Sequence, residues 1–154
     1  MKPAVLKILT FSLLFISAIS CKKSDPAPAV TPKSKTTLIT QTAWKLQTAA
    51  LDPNKDNIAD TDITALIPAC KFDNTYAFKT DGTGTMDEAT AKCNGTDPQT
   101  QAFTWVFKST ETILSGTFAF TNGDATIVSL TETTMVVAYD DASTSSHVLA
   151  TLKH

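Results

Sequence analysis

The stretch CKFDNTYAFKTDGTGTMDEATAKC, from Cys70 to Cys93, decides the fold of this chain. Two runs rich in β-forming residues, 75–80 and 83–88, flank the dipeptide Asp81-Gly82. Asp-Gly between such runs is a strong hairpin signal, because tight hairpin turns need residues that tolerate positive φ. The sequence therefore predicts an antiparallel hairpin that is bracketed by two cysteines.

Alternating apolar and polar residues continue after this hairpin. Phe103, Trp105 and Phe107 alternate with small or polar residues, which is typical of a strand with one buried face. Asn122-Gly123 is a second hairpin signal. Further strands are predicted at residues 101–109, 112–115, 116–121, 125–131, 134–139 and 146–152.

The first strand is expected within residues 38–51. Trp44, Leu46 and Thr48 recur at every second position and are expected on one face of it. A short helical turn over residues 38–41 is expected ahead of the strand.

The count is about eight short antiparallel strands at regular spacing, with a short helical turn over residues 61–66 before the second strand. Short links and regular spacing favour an all-β, up-and-down barrel of eight strands. Closure of the sheet also removes exposed edges, which would invite aggregation. A two-sheet sandwich is the alternative.

The composition excludes one class of function. All 13 basic residues among the 154 are lysines, and the formal net charge is −2. Nucleic-acid recognition depends on basic patches and on the planar fork of arginine, so we expect no nucleic-acid partner.

Residues 1–20 have the features of a secretory signal: two lysines near the start, then an apolar stretch too short for a comfortable membrane span. The stretch ends in SAIS before Cys21, which resembles the cleavage site of bacterial lipoproteins. We expect Cys21 to carry a lipid. The alternative is an ordinary secretory signal that leaves Cys21 as a spare thiol.

Residues 21–36 contain three prolines among lysine, serine and alanine, which favours an extended tether. The folded domain is expected over residues 37–154. The length of the chain allows one such domain.

Cys70 and Cys93 could form a metal pair, a redox pair or a structural disulfide. Their wide spacing, the lack of a nearby histidine and the exported character of the chain favour the disulfide.

Residues 52–62 contain a partial calcium-loop pattern. Asp52, Asn54, Asp56 and Asp60 occupy ligand positions, but Ile63 replaces the bidentate glutamate. An ordinary solvated loop is the preferred interpretation, so no metal is expected.

Catalysis has little support in the sequence. His154 is terminal, and His147 is expected in solvent. The adjacent carboxylates Asp87-Glu88 and Asp140-Asp141 point to opposite faces of a strand and therefore make no acid/base pair. They are expected in turns or at solvated edges, and no catalytic residue and no cofactor is predicted.

Large aromatic residues at alternating positions could line a ligand cavity or fill a plain core. An eight-stranded barrel is wide enough for either. The candidate ligand-binding residues are Trp44, Tyr76, Phe78, Phe103, Trp105, Phe107, Phe118, Phe120 and Tyr139.

The chain resembles the lipocalin-like domain family of bacterial lipoproteins from about residue 38 onward. The resemblance rests on TAWKL around Trp44, on LIPACK ending at Lys71, on DNTYAF and DGT in the hairpin, and on the second cysteine in KC. It implies a small antiparallel barrel, a disulfide between Cys70 and Cys93, and lipid anchoring in the envelope. It implies no settled activity.

One position departs from the family pattern. Lipocalins carry Gly-x-Trp at the start of the barrel, and Thr42 stands in place of that glycine. The arginine that packs on this corner has no counterpart, since the chain has no arginine.

The sequence thus predicts a non-enzymatic lipoprotein, anchored to the outer membrane on its periplasmic side or at the cell surface, whose barrel binds a small apolar ligand. The alternative is a structural or interaction domain with a filled core, acting as an accessory subunit or as an enzyme inhibitor. A protein partner is not identifiable from the residues.

Overall fold

One antiparallel sheet makes up most of the computed structural model, which describes residues 31–118, 123–142 and 145–154. Contacts divide the chain into residues Met1–Thr31 and Pro32–His154, and the second unit is the one described here. The predicted signal at residues 1–20, Cys21, most of the tether and the residues Phe120 and Asn122 lie outside the described residues.

The described residues form nine strands and one short helix, α1. The sheet order is β2-β1-β9-β8-β7-β6-β5-β4-β3, so most neighbours in the sheet are also neighbours in the chain. The all-β prediction is confirmed. The described residues contain one strand more than the eight expected, because the two-residue strand β2 was not predicted. The elements are α1 (Lys35–Thr40), β1 (Lys45–Leu51), β2 (Thr61–Asp62), β3 (Thr75–Phe78), β4 (Thr83–Asp87), β5 (Thr100–Lys108), β6 (Ile113–Gly116), β7 (Gly123–Leu130), β8 (Thr134–Asp141) and β9 (Ser146–Lys153).

The two ends of this strand order meet at one point. Trp44, immediately before β1, forms an antiparallel bridge with Tyr76 of β3. The backbone N–H of Trp44 donates to the Tyr76 carbonyl at 2.9 Å, and the Tyr76 N–H donates to the Trp44 carbonyl at 2.8 Å. The sheet must therefore curve, since β1 and β3 stand far apart in the strand order.

Helix α1 lies at the end of the sheet where β1 begins, which we call the helix end. Ser34 caps it, because its Oγ accepts from the N–H of Thr37 at 3.1 Å. Ile39 is fully buried, and its carbonyl accepts the indole N–H of Trp44 at 2.9 Å. Gln41 donates to the carbonyl of Glu132 in the β7–β8 turn. The helix thus extends the predicted turn at residues 38–41 toward the N-terminus.

A β-bulge changes the predicted face of β1. Leu46 pairs with Leu152 and Thr48 with Thr151, so Gln47 is the extra residue. Because a bulge shifts the alternation by one position, Ala49 rather than Thr48 turns inward. Ala49 is buried and Thr48 is exposed, so the prediction for Thr48 was wrong.

The Asp81-Gly82 hairpin is confirmed, but its turn differs from the expected one. The N–H of Gly82 donates to the Lys79 carbonyl, and the N–H of Lys79 donates to the Thr83 carbonyl. Within this turn only Gly82 has positive φ, at +83°. The turn therefore centres on Thr80 and Asp81, and Gly82 occupies the left-handed position that follows.

The segment predicted as helical at residues 61–66 is divided. Strand β2 takes its first two residues, and a 3-10 turn at Thr64–Leu66 follows. A second such turn, Ala69–Lys71, precedes β3. The helical prediction was thus wrong for the first residues, because they pair with the end of β1.

The core lies on the inner face of the curved sheet. The buried cluster is Ile39, Trp44, Tyr76, Phe78, Met86, Phe103, Trp105, Leu114, Phe118, Ala125, Ile127, Met135, Val137, Ala150 and Leu152. Within the described residues the structure contains no helix with the length and apolar character of a membrane span.

Candidate functional site

The two cysteines of the hairpin segment form the predicted disulfide. Cys70 and Cys93 are bonded, with Cα atoms 5.2 Å apart, a usual separation for a disulfide. The bond joins the 3-10 turn at Ala69–Lys71 to the loop after β4. This end of the sheet, where β1, β4 and β8 finish, is called the loop end.

Most of the predicted aromatic set meets on the inner face. Trp44, Tyr76, Phe78, Phe103, Trp105 and Phe118 are buried, and Phe107 and Tyr139 pack against them. Phe78 stands edge-on to Phe103, with ring centroids 5.1 Å apart, and edge-on to Trp105 at 5.6 Å. Such contacts stabilise a packed interior. The rings pack against one another and so occupy the middle of the inner face.

A pocket of about 410 Å³ opens at the loop end. It is lined by Leu51, Pro53, Lys55, Asp140, Asp141, Ala142, Ser145, Ser146 and His147. This volume falls in the range of small-molecule sites. A second pocket, of about 420 Å³, lies at the helix end beside Trp105 and Glu111 and is much more open to solvent.

The loop-end pocket reaches the inner face of the sheet. Asp141 pairs with Ser146 and Tyr139 pairs with Val148 across β8 and β9. Side chains two apart in a strand share a face, so Asp141 lies on the same face as Tyr139 and the buried Val137. The lining thus takes Asp141 and Ser146 from the inner face and Asp140 and His147 from the outer face.

The outer wall of the pocket is a polar network around His147 and Asp140. Nδ1 of His147 lies 2.7 Å from Oδ1 of Asp140, and the Lys55 ammonium donates to both oxygens of the same carboxylate, at 2.9 and 3.1 Å. These two contacts, that of His147 first, lower the pKa of Asp140. The His147 side chain is only 13% exposed, so the prediction that it lies in solvent was wrong.

Asp52 forms the base of this wall. It is fully buried, and its Oδ2 lies 4.0 Å from Nε2 of His147. Its carboxylate accepts the N–H of Asp56 at 3.2 Å and of Asn57 at 2.8 Å. Asp56 likewise accepts the N–H of Ile58. These carboxylates hold the loop's own N–H groups, which favours the solvated-loop interpretation over a calcium loop.

A layer of polar side chains surrounds the two tyrosines. Burial is the main cause that raises the pKa of Tyr139 to about 12, and the charge of Asp141 and the phenol of Tyr76 add to the shift. Burial also raises the pKa of Tyr76; neighbouring Asn74 opposes the shift and Glu88 reinforces it. The two phenols, Asn74 and the two carboxylates therefore lie near one another.

Two members of this layer are more deeply buried than the sequence suggested. Glu88 is 1% exposed, and its Oε2 accepts the N–H of Cys93 at 3.2 Å. The prediction that Asp87-Glu88 is a solvated edge was therefore wrong for Glu88, because the disulfide loop folds over it. Asn74 is fully buried, and neither Oδ1 nor Nδ2 has a well-aligned hydrogen-bond partner among the described residues.

The cluster around His147 escaped sequence reasoning, although a signal for it existed. Asp140 and His147 are equally far from the centre of the turn DDASTSSH, and a tight hairpin makes such residues cross-strand partners. Asp52 carries no comparable signal, because β1 and β9 are far apart in sequence.

Comparison with models of known protein families and with curated proteins finds no match to the chain.

Proposed function

We propose that this chain is a lipid-anchored, non-enzymatic protein of the cell envelope whose lipocalin-like barrel binds a small, largely apolar ligand. The observation that carries the proposal is the pocket of about 410 Å³ at the loop end, whose lining includes the apolar residues Leu51, Pro53 and Ala142. The pocket supplies the space, and these three residues supply apolar surface.

The proposal includes closure of the sheet into a barrel. The near-consecutive strand order supports it, and so does the pair of hydrogen bonds between Trp44 and Tyr76. Eight of the nine strands would then surround the core, with β2 as a short extension of β1.

Family membership and lipid anchoring rest on the residues quoted above, from the SAIS-Cys21 site to the disulfide hairpin. The Cys21→Ala variant is expected to move from the membrane to the soluble fraction, since the acyl chains provide roughly 0.8 kcal/mol per buried CH₂. A variant that stays on the membrane contradicts the anchor.

Ligand binding is tested by native mass spectrometry. The purified protein is incubated with a lipid and metabolite extract, and we expect an added mass that disappears when the pocket is filled by the substitution Ser146→Trp. Ser129→Trp, on the exposed part of β7, is the matched control. A protein that is recovered empty from every extract contradicts the proposal.

A second candidate is an interaction domain with a filled core. The edge-to-face contacts among Phe78, Phe103 and Phe118 favour it, since they leave the middle of the sheet occupied by protein side chains. Pull-down from the native membrane distinguishes the two candidates, because only this one requires a stoichiometric protein partner.

A further inference from the structure

We propose that the helix end of the domain docks on an anionic phospholipid surface through the exposed lysines Lys45, Lys79 and Lys153. This inference rests on the proposed function, since the surface is that of the membrane to which Cys21 anchors the chain. The loop end and its pocket would then face away from the lipid, toward the aqueous phase.

Charge is distributed unevenly between the two ends of the sheet. At the loop end of the described chain, acidic residues greatly outnumber the three lysines Lys55, Lys71 and Lys92. At the helix end lysines outnumber acidic residues two to one. An anionic surface therefore attracts the helix end and repels the loop end. The helix-end lysines are Lys33, Lys35, Lys45, Lys79, Lys108 and Lys153, and the acidic residues there are Asp81, Glu111 and Glu132.

Two of the helix-end lysines face each other across the sheet. Lys45 begins β1 and pairs with Lys153, the last residue of β9. Both residues are exposed, and within the described ranges neither ammonium contacts a carboxylate or a carbonyl. Like charges directly opposite each other destabilise a sheet. A phosphate group that binds both ammonium groups would remove this repulsion.

The other helix-end lysines differ in how far they are already paired. Lys79 is exposed in the hairpin turn, and the nearby charge of Asp81 offsets it in part. The lysines that already contact an acidic side chain or a backbone carbonyl are Lys33, Lys35 and Lys108. The Lys45–Lys153 pair is thus the part of this surface with the greatest need for an anion.

The chain that leads to Cys21 joins the domain at the same end. The described unit begins at Pro32, and Ser34 caps helix α1. A flexible chain as long as the stretch from Cys21 to Lys35 has a typical span of about 20 Å. Such a short link holds the lysines near the bilayer at a high effective concentration, so a few weak contacts are enough for docking.

Lysine acetylation, followed by mass spectrometry, tests the docking. The full-length protein is held through Cys21 in nanodiscs of phosphatidylcholine, with or without phosphatidylglycerol. If Cys21 carries no acyl group, its thiol is coupled to a maleimide lipid in the disc. We expect Lys45, Lys79 and Lys153 to react about tenfold more slowly in the anionic discs. Lys71 and Lys92 should react equally in both.

A double variant locates the effect. Lys45→Gln combined with Lys153→Gln removes the pair, and each lysine near an anionic surface contributes about fivefold to affinity. The protection of Lys79 should therefore be nearly lost. Lys71→Gln combined with Lys92→Gln is the matched control, because it removes the same charge from the loop end and should leave that protection unchanged.

Salt provides a second measurement on the unchanged protein. Because exposed charges are screened by ions, the protection of the three lysines in anionic discs should disappear as the salt concentration rises. Protection that persists at high salt contradicts an electrostatic contact with lipid.

Failure of docking is distinguishable from failure of the proposed function. Equal acetylation rates in the two kinds of disc overturn docking and leave the lipid anchor in place. Slow acetylation in both kinds of disc points to a second copy of the chain as the cover, which also overturns the lipid surface. A Cys21 without an acyl group overturns the anchor, and the maleimide-coupled protein then decides docking by itself.

Discussion

Trp44 and Tyr76 exchange two backbone hydrogen bonds, at 2.9 and 2.8 Å, and so connect the start of β1 with β3. The side chains of both residues are buried in the same core. The indole N–H of Trp44 also donates to Ile39, which ties helix α1 to this junction. One tryptophan thus holds together the helix, the first strand and the disulfide hairpin.

Trp44→Ala is expected to destabilise the protein by about 3–5 kcal/mol, because it opens a cavity and leaves the Ile39 carbonyl without its donor. Urea unfolding followed by circular dichroism measures the change. Leu66→Ala is the control, since the Leu66 side chain is 80% exposed and its loss should hardly matter. A loss below about 1 kcal/mol for Trp44→Ala would show that the junction is unimportant.

Removal of the disulfide is expected to lower stability by about 3 kcal/mol, since the bond closes a loop between residues that are 23 positions apart. Cys70→Ser and Cys93→Ser should each show this loss, and the double variant should show no more than either one. Urea midpoints with and without reductant provide the measurement. Equal midpoints under the two conditions would contradict the prediction.

Gly84→Ala is expected to destabilise β4 by about 1–3 kcal/mol, because overpacking a filled core forces its neighbours to move. A Cβ at Gly84 would overlap the ring of Phe103 and lie 2.8 Å from the Ala77 carbonyl oxygen. Gly95→Ala is the matched control, since a Cβ there meets nothing within 4 Å. Similar melting temperatures for the two variants would contradict the packing described for β4 and β5.

The two tyrosines predict the behaviour of the protein at high pH. Both phenols have a raised pKa in the folded chain, about 12 for Tyr139, and burial is the main cause. The folded state therefore binds their protons more tightly than the unfolded state, whose phenols titrate near pH 10. The stabilisation is complete below pH 10 and is lost as pH rises toward 12.

Ultraviolet titration of phenolate absorbance measures this effect. Because the chain has only two tyrosines, the folded protein should show little phenolate at pH 10, while the urea-unfolded protein should be half ionised. Tyr139→Phe should reduce the fall in melting temperature between pH 10 and 12. A folded protein that titrates normally at pH 10 would place both phenols in solvent.

Much of the sheet was predictable because alternation and turn residues are local. Phe103 and Trp105 identified β5, and Asp81-Gly82 identified the hairpin, since each signal lies within a few residues. The bulge at Gln47 was not predictable, because only the pairing of β1 with the distant β9 places it there. The same non-local pairing brings Asp52 to His147.

The aromatic part of the interior was predictable from the sequence, and its polar part was not. The aromatic residues stood out by size and spacing, and most of them do meet in the core. The polar part depends on burial, which sequence does not reveal for residues such as Asn74 and Glu88. Their environment is set by the disulfide loop and by strands that are remote in the chain.

Asp52 fixes the base of the loop at residues 52–60. Its N–H donates to the His147 carbonyl at 3.0 Å, and the N–H of Asp60 closes the loop on Leu51 at 2.9 Å. The tip that carries Lys55 therefore lies outside the paired part of β1 and contacts β8 through the Lys55 side chain. Substitutions and insertions at this tip can reshape the rim of the pocket while the sheet stays intact, so ligand preference can diverge faster than architecture among descendants of this chain.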